Sequence, residues 1–265
     1  MQRSDIVGLT VFFTIAFLVP WLGWSLIDAP ALHLWLFPLC CSLGGFAAAW
    51  AAGGTGGLRR FCRRTLNPVG ALGWTVLAAL LPLAIGLLYL LLNGVPLSAM
   101  QPSARALLGL TLGAALVTGP LAEEFGWRGY LQPLLLRHMR PLYAVPLVAL
   151  LWAAWHIPLF GYAVFGTPVT ALRFFGYLLA WSAFMACLVL WARGSVWPAV
   201  AFHWGANVHA NVLGVLFPGL DGGALPGGSK GLWLYLLAAA ACSALYWRFG
   251  ASARTAPSAL PFSAR

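Results

Sequence analysis

The sequence predicts an all-α polytopic membrane protein with about eight transmembrane helices and both termini on the cytoplasmic side. Three observations carry that expectation. First, 62% of the 265 residues are hydrophobic and only 8% are charged, with a mean hydropathy of +0.87, against about 25% charged in a soluble domain. Second, the apolar residues fall in runs of about 20, the length that crosses about 30 Å of hydrocarbon. Third, the basic residues are biased to one side. With the N-terminus inside, the inner segments carry Arg3, Arg59, Arg60, Arg63, Arg64, Arg137, Arg140, Arg193, Arg248, Arg254 and Arg265, and the outer ones only Arg105, Arg173 and Lys230. Lys and Arg are retained on the cytoplasmic side, so this bias sets the orientation. The net charge of +10 is the surplus of those inner segments. It is not a nucleic-acid footprint, because no basic patch is interleaved with a folded polar surface.

The first run, 6–27, is too long for a signal-peptide core and lacks a convincing cleavage site, so it is expected to remain as the first span. Runs at about 31–52 and 71–93 follow, punctuated by Gly53-Gly54-Thr55-Gly56-Gly57 and by Asn93-Gly94-Val95-Pro96, which is turn chemistry. The remaining spans are expected at about 106–123, 141–159, 169–192, 196–217 and 231–248. Gly194 and the stretch 218–228 serve as connections. Residues 1–249 thus form one transmembrane domain with a motif-bearing core at about 106–217, and 250–265, rich in Ala, Ser and Pro, reads as a disordered cytoplasmic tail. The five cysteines show neither a disulfide nor a zinc-ribbon spacing. Gly109 and Gly113 form a small-xxx-small pair expected to pack helices within the chain. The 32 residues from Ala106 to Arg137 would reach about 48 Å as one straight helix, so a bend is expected at Gly119-Pro120.

Of the five acidic residues, Asp5, Asp28 and Asp221 fall at span ends or in loops, where water is expected to solvate them. Glu123 and Glu124 close a long apolar run, and an ionisable residue inside a membrane is costly enough to be a functional hypothesis. On a helix, Glu124 and Arg128 stand at i, i+4 and pair, whereas Glu123 points about 100° away and is free to act as a general base. The same three residues would also serve as a structural ion network.

The histidines extend the pattern. His156 follows Trp152 by one turn near the end of the fifth span, a position that equally suits a packing histidine. His203, Asn207 and Asn211 recur at i, i+4, i+8 and line one face of the seventh, where interhelical hydrogen bonding is the plainer role. His209 lies on another face, His138 sits with Arg137 and Arg140 at the cytoplasmic border, where it is expected to be solvated, and His33 is interfacial. Three helices thus offer a carboxylate pair, a histidine, and a histidine with an asparagine. Such a set would activate water, with Glu123 as base and His156 assisting, while His203 and Asn207 donate to an oxyanion. Glu123, His156 and His203 would equally suit Zn²⁺ as a His₂Glu set, although the usual HExxH motif is absent.

In Glu123-Glu124-Phe-Gly-Trp-Arg128, Trp152-Ala-Ala-Trp-His156 and His203-Trp-Gly-Ala-Asn207 the chain resembles the CPBP (Abi) family of intramembrane endopeptidases, which includes the type II CAAX-prenyl protease. The family pattern is EExxxR, FxxxH and HxxxN or HxxxD on successive transmembrane helices, with Trp152 here standing where Phe is usual. The resemblance implies hydrolysis of a peptide bond in a membrane-associated or lipidated peptide or protein. It assigns Glu123 and His156 to water activation and His203 and Asn207 to the oxyanion, with Glu124 and Arg128 in support. It leaves the glutamate-based and zinc-based mechanisms both open. The expected partners are membrane lipid and the peptide substrate, with no nucleic acid, and the expected location is a bacterial cytoplasmic membrane, as an integral multi-pass protein. A catalytically silent binding or immunity protein and a proton-coupled transporter are the alternatives. The retained motif residues argue against the first, and the lack of an inverted repeat against the second.

Overall fold

The computed structural model describes residues 1–29, 32–68, 70–99, 113, 115–217 and 228–245, with backbone alone at 34, 97, 209–215, 228–230 and 245. Gly109, Asp221, the side chains of His209 and Asn211, and the 250–265 tail lie outside the description. Among the described residues all regular structure is helical, as a protein that must satisfy its backbone inside hydrocarbon requires. We number the helices α1 to α9.

Helix α1, Arg3–Leu26, is a continuous apolar rod with a π-helical turn at Thr14–Leu18, directly before Pro20. A proline takes a donor out of the helical ladder, and the widened turn accommodates it. After a π-helical turn at Leu32–Leu36, α2 runs from Leu39 to Thr65 and is broken at Gly53 and Gly54. Gly54 has φ +58°, a left-handed conformation that glycine adopts without a Cβ penalty. The glycine-rich stretch therefore breaks the helix as expected, but the chain resumes helically. Its second half is amphipathic, with Phe61 and Thr65 buried and Arg59, Arg60 and Arg63 exposed.

Helix α3 is Leu72–Leu92. Helix α4 spans 117–138 and is assembled from Val117–Leu121 and Phe125–Leu131, both π-helical, and Ala122–Glu124 and Gln132–His138, both α-helical. The irregularity expected at Gly119-Pro120 thus takes the form of a π turn. Among the described residues nothing lies within 4 Å of a Cβ built at Gly113; its expected partner Gly109 lies outside the description.

The expected fifth span, 141–159, is not one rod. Helix α5, Pro141–Trp155, and helix α6, Ile157–Phe165, meet at His156 at an angle of 90°. Pro158 is the cause within the chain: it lacks the N–H that would continue the ladder, and it disfavours the helical region for the residue before it. The bend is clamped from α1, where Trp155 Nε1 donates to the carbonyl of Ala16 at 2.6 Å and Trp21 Nε1 to that of Trp155 at 3.2 Å. Helix α7, Pro168–Trp191, begins on Thr167, whose hydroxyl accepts from the Thr170 amide. Arg193 and Gly194, both at positive φ, turn the chain into α8, Trp197–Leu216. Helix α9, Gly228–Leu245, packs along α7.

Among the described residues, α1, α3 and α7 are each long and apolar enough to cross a membrane, and the bent α5–α6 pair passes the same test taken together. Their burial differs: 28% of the apolar window of α1 and 33% of that of α3 are buried, against 67% in α7. Helix α7 is therefore the central post, while α1 and α3 turn leucines outward, Leu80, Leu83, Leu87 and Leu91 among them. The core around α7 is aromatic, with Trp127, Trp152, Trp155, Tyr177, Phe184, Phe202 and Tyr235 almost fully enclosed.

Candidate active site

Helix α2 presents a face of small residues to α4. A Cβ added at Gly126 would lie 2.3 Å from the carbonyl oxygen of Cys41, and one at Gly45 would lie 2.8 Å from that of Phe125. The two backbones are in direct contact, the arrangement that small residues permit inside membranes. Contact at that range lets α2 serve the backbone of α4: Ser42 Oγ donates to the carbonyl of Leu121 at 2.9 Å, and Cys41 Sγ to that of Glu123 at 3.4 Å. The amphipathic half of α2 adds a third bond, from Arg64 to the carbonyl of Gly129. The acidic pair is thus seated from below by a helix that carries no motif of its own.

Glu124 and Arg128 form the expected i, i+4 ion pair at 3.0 Å, both side chains fully buried. Two buried charges are tolerable only when their remaining valences find partners, and neighbouring helices supply most of them, Arg128 Nε alone on that guanidinium being left without one among the described residues. Arg128 Nη2 donates to Ser182 Oγ on α7 at 2.9 Å, and its guanidinium lies 4.2 Å from the centre of the Trp152 ring on α5. His203 on α8 places Nδ1 2.7 Å from Glu124 Oε1. The histidine expected at the oxyanion is therefore bonded to the second glutamate.

Glu123 is also buried and, contrary to expectation, is not free: Trp152 Nε1 donates to its Oε2 at 2.6 Å. His156 stands at the α5–α6 bend with its Nδ1 2.8 Å from the carbonyl of Trp152. A carbonyl can only accept, so Nδ1 carries the proton and the lone pair of the neutral ring is on Nε2. The ring stacks on Phe160, with centroids 5.0 Å apart and planes 8° from parallel. Between the two histidines stands Trp152, 6.0 Å from His156 and 5.2 Å from His203 by ring centroids. Asn207, one turn beyond His203, is half-buried. A Cβ at Gly119 would fall 3.0 Å from Asn207 Nδ2 and 3.3 Å from His203 Nε2, so both nitrogens face the bare backbone of the first π turn.

The structure thus brings Glu123, Arg128, His156 and His203 from α4, the α5–α6 bend and α8 around one indole, with Glu124 paired to Arg128 and Asn207 one turn beyond His203. Among the described residues no three His, Cys, Asp or Glu side chains stand grouped as a metal ion would need them. Two expectations are corrected. Asp5 is enclosed, not solvated, and bonds Arg137 Nη2 at 2.8 Å and His138 Nε2 at 3.0 Å. His138 is therefore engaged at the border, away from the acidic pair. Sequence reasoning missed Ser182, Cys41, Ser42, Gly119 and the indole N–H of Trp152. A legible trace existed for Ser182, a hydroxyl in an otherwise apolar stretch of α7.

Residues 104–209 match the family model described as type II CAAX prenyl endopeptidase Rce1-like, a span that contains every residue gathered here. No curated protein matches the chain.

Proposed function

Proceeding from the match of residues 104–209 to the Rce1-like family model, we propose that the chain is a CPBP-type (CAAX protease) intramembrane endopeptidase with an acid–base pair and an oxyanion site on three helices. Glu123 and His156 activate a water molecule. His203 and Asn207 receive the oxyanion of the tetrahedral intermediate, and Glu124 and Arg128 hold His203 in place. The substrate is a peptide bond of a membrane-associated or lipidated peptide or protein.

The observation that carries this reading is the convergence of Glu123, His156 and His203 on Trp152, with Asn207 one turn beyond His203. The hydrogen bonds support the division of labour. His156 keeps an Nε2 lone pair that accepts a proton from water. His203 has Nδ1 committed to Glu124, so donation from Nε2 requires the imidazolium. The carboxylate of Glu124 stabilises that charge, which in turn stabilises a developing anion.

The reading extends to topology, with eight spans and both termini cytoplasmic. Two contacts support the orientation. Asp5 to Arg137 joins the start of α1 to the end of α4, and Arg64 lies against Gly194. Both join segments that the arginine bias assigns to the cytoplasmic side.

The test is cleavage of a mixed membrane-peptide library, with farnesylated Cys-a-a-X peptides included, by purified protein beside Glu123→Gln. Cleavage by wild type and its loss, by at least about 1000-fold, in a folded Glu123→Gln variant is expected, the scale of removing an essential group. Equal cleavage by both overturns the assignment of Glu123. Stoichiometric zinc in the active wild-type sample would reassign His156 and His203 as ligands.

A further inference from the structure

Trp152 is 1% exposed, yet it touches the polar site in four ways. Its indole N–H donates to Glu123 Oε2 at 2.6 Å. Its ring face carries the Arg128 guanidinium at 4.2 Å. Its carbonyl accepts from His156 Nδ1 at 2.8 Å. Its ring edge meets His203, with centroids 5.2 Å apart and planes at 76°. Packing alone does not require the first of these, since any large aromatic ring fills the space and only an indole brings an N–H to the carboxylate.

We infer that Trp152 is a positioning residue for the proposed hydrolysis, its N–H pinning Glu123 Oε2 so that Oε1 is the oxygen turned to the attacking water. This rests on the endopeptidase reading above. A carboxylate on two rotatable bonds offers two equivalent oxygens, and a general base works only when one is held within hydrogen-bond reach of the proton it takes. The indole removes that ambiguity. Among the described residues it donates to Oε2, and no bond falls on Oε1. The cation over the ring strengthens the clamp: a guanidinium on the π face draws electron density from the indole and makes its N–H a better donor. Arg128 is held by Glu124 and Ser182. The Glu124–Arg128 pair therefore bears on both halves of the site, on His203 directly and on Glu123 through the indole.

The decisive change removes the N–H and nothing else. β-(3-Benzothienyl)alanine in place of Trp152 keeps the bicyclic shape with sulfur where the N–H stood, and Trp152→Phe removes the N–H together with half the ring. The full-length protein carrying either is assayed on the library peptide that wild type cuts fastest. For the isostere we expect kcat to fall about 10- to 100-fold, the scale of a hydrogen bond to a charged group, with KM unchanged and the protein still folded at the assay temperature, its melting temperature lower only by the loss of one buried hydrogen bond. Trp152→Phe should show the same kcat loss with a lower melting temperature. Unchanged kcat in the isostere overturns the inference, as does a loss confined to KM or matched by unfolding. Failure of the underlying reading looks different: wild type is silent or Glu123→Gln cleaves as fast as wild type, and the inference falls with it.

Discussion

Arg128 carries more of this site than its place at the end of a motif suggests. It is fully buried, pairs with Glu124, bonds Ser182 and lies on the Trp152 ring. Arg137, in contrast, pairs with Asp5 at the same kind of distance, but its side chain is 39% exposed. Removing one partner of a buried pair leaves the other charge unpaired and costs about 3–5 kcal/mol, whereas a pair whose cation is exposed is worth less, and Asp5 keeps His138 when Arg137 is removed. We therefore expect Arg128→Met to lower the melting temperature of the detergent-solubilised protein severely and Arg137→Met hardly at all. Comparable shifts in the two variants would refute this ranking. At this scale the sequence discloses the charged and imidazole groups readily, because each is conspicuous in an apolar run. It hides their partners. Trp152, Ser182 and Cys41 are ordinary occupants of membrane helices until the fold aims an N–H, a hydroxyl or a thiol at a particular acceptor.

At the scale of the element, α2 is a supporting surface for α4. The contact is backbone to backbone at Gly126 and Cys41, so it has no side chain that could yield. A methyl group at Gly126 would sit 2.3 Å from a carbonyl oxygen, well inside van der Waals contact, and one helix must move. Gly126→Ala is therefore expected to cost about 1–3 kcal/mol, the range of overpacked cores, and to lower turnover by dragging Glu123 with α4. A thermal melt and an activity assay on the same sample check both, and a neutral outcome would show that α4 is not held there. Hydropathy reads the length of an apolar run and not its direction. The 90° bend at His156 is thus invisible to it, even though Pro158 stands in plain view. The π turns of α4 are equally hidden, because a widened turn alters which carbonyls need partners without altering composition.

Across the whole molecule, internal contacts join segments that the arginine bias assigns to one side. The N-terminal Asp5 meets Arg137 and His138, and the Arg64 region meets the α7–α8 connection at Gly194. On the proposed topology, a green fluorescent reporter fused to the C-terminus should fluoresce and an alkaline phosphatase fused there should be inactive. The reverse pattern would place the C-terminus outside. The motif order could be read along the chain, but the number of spans could not be read from run lengths alone. Of the eight expected runs, one turns a right angle, and another ends at Gly53 and Gly54 as expected but is followed directly by more helix.

The unequal enclosure of the helices has a bearing on how this chain can change over time. The outward leucines of α1 and α3 touch little of the described protein, and lipid tails accept Ile, Val or Phe as readily as Leu, so those positions should be free to drift. Helix α7, with two thirds of its apolar window enclosed and Ser182 fixed on Arg128, has no such liberty. Variation between related chains should accordingly gather on the rim and thin toward the central post. A comparison that aligns such chains by their most apolar segments would anchor itself on the least informative part of the molecule.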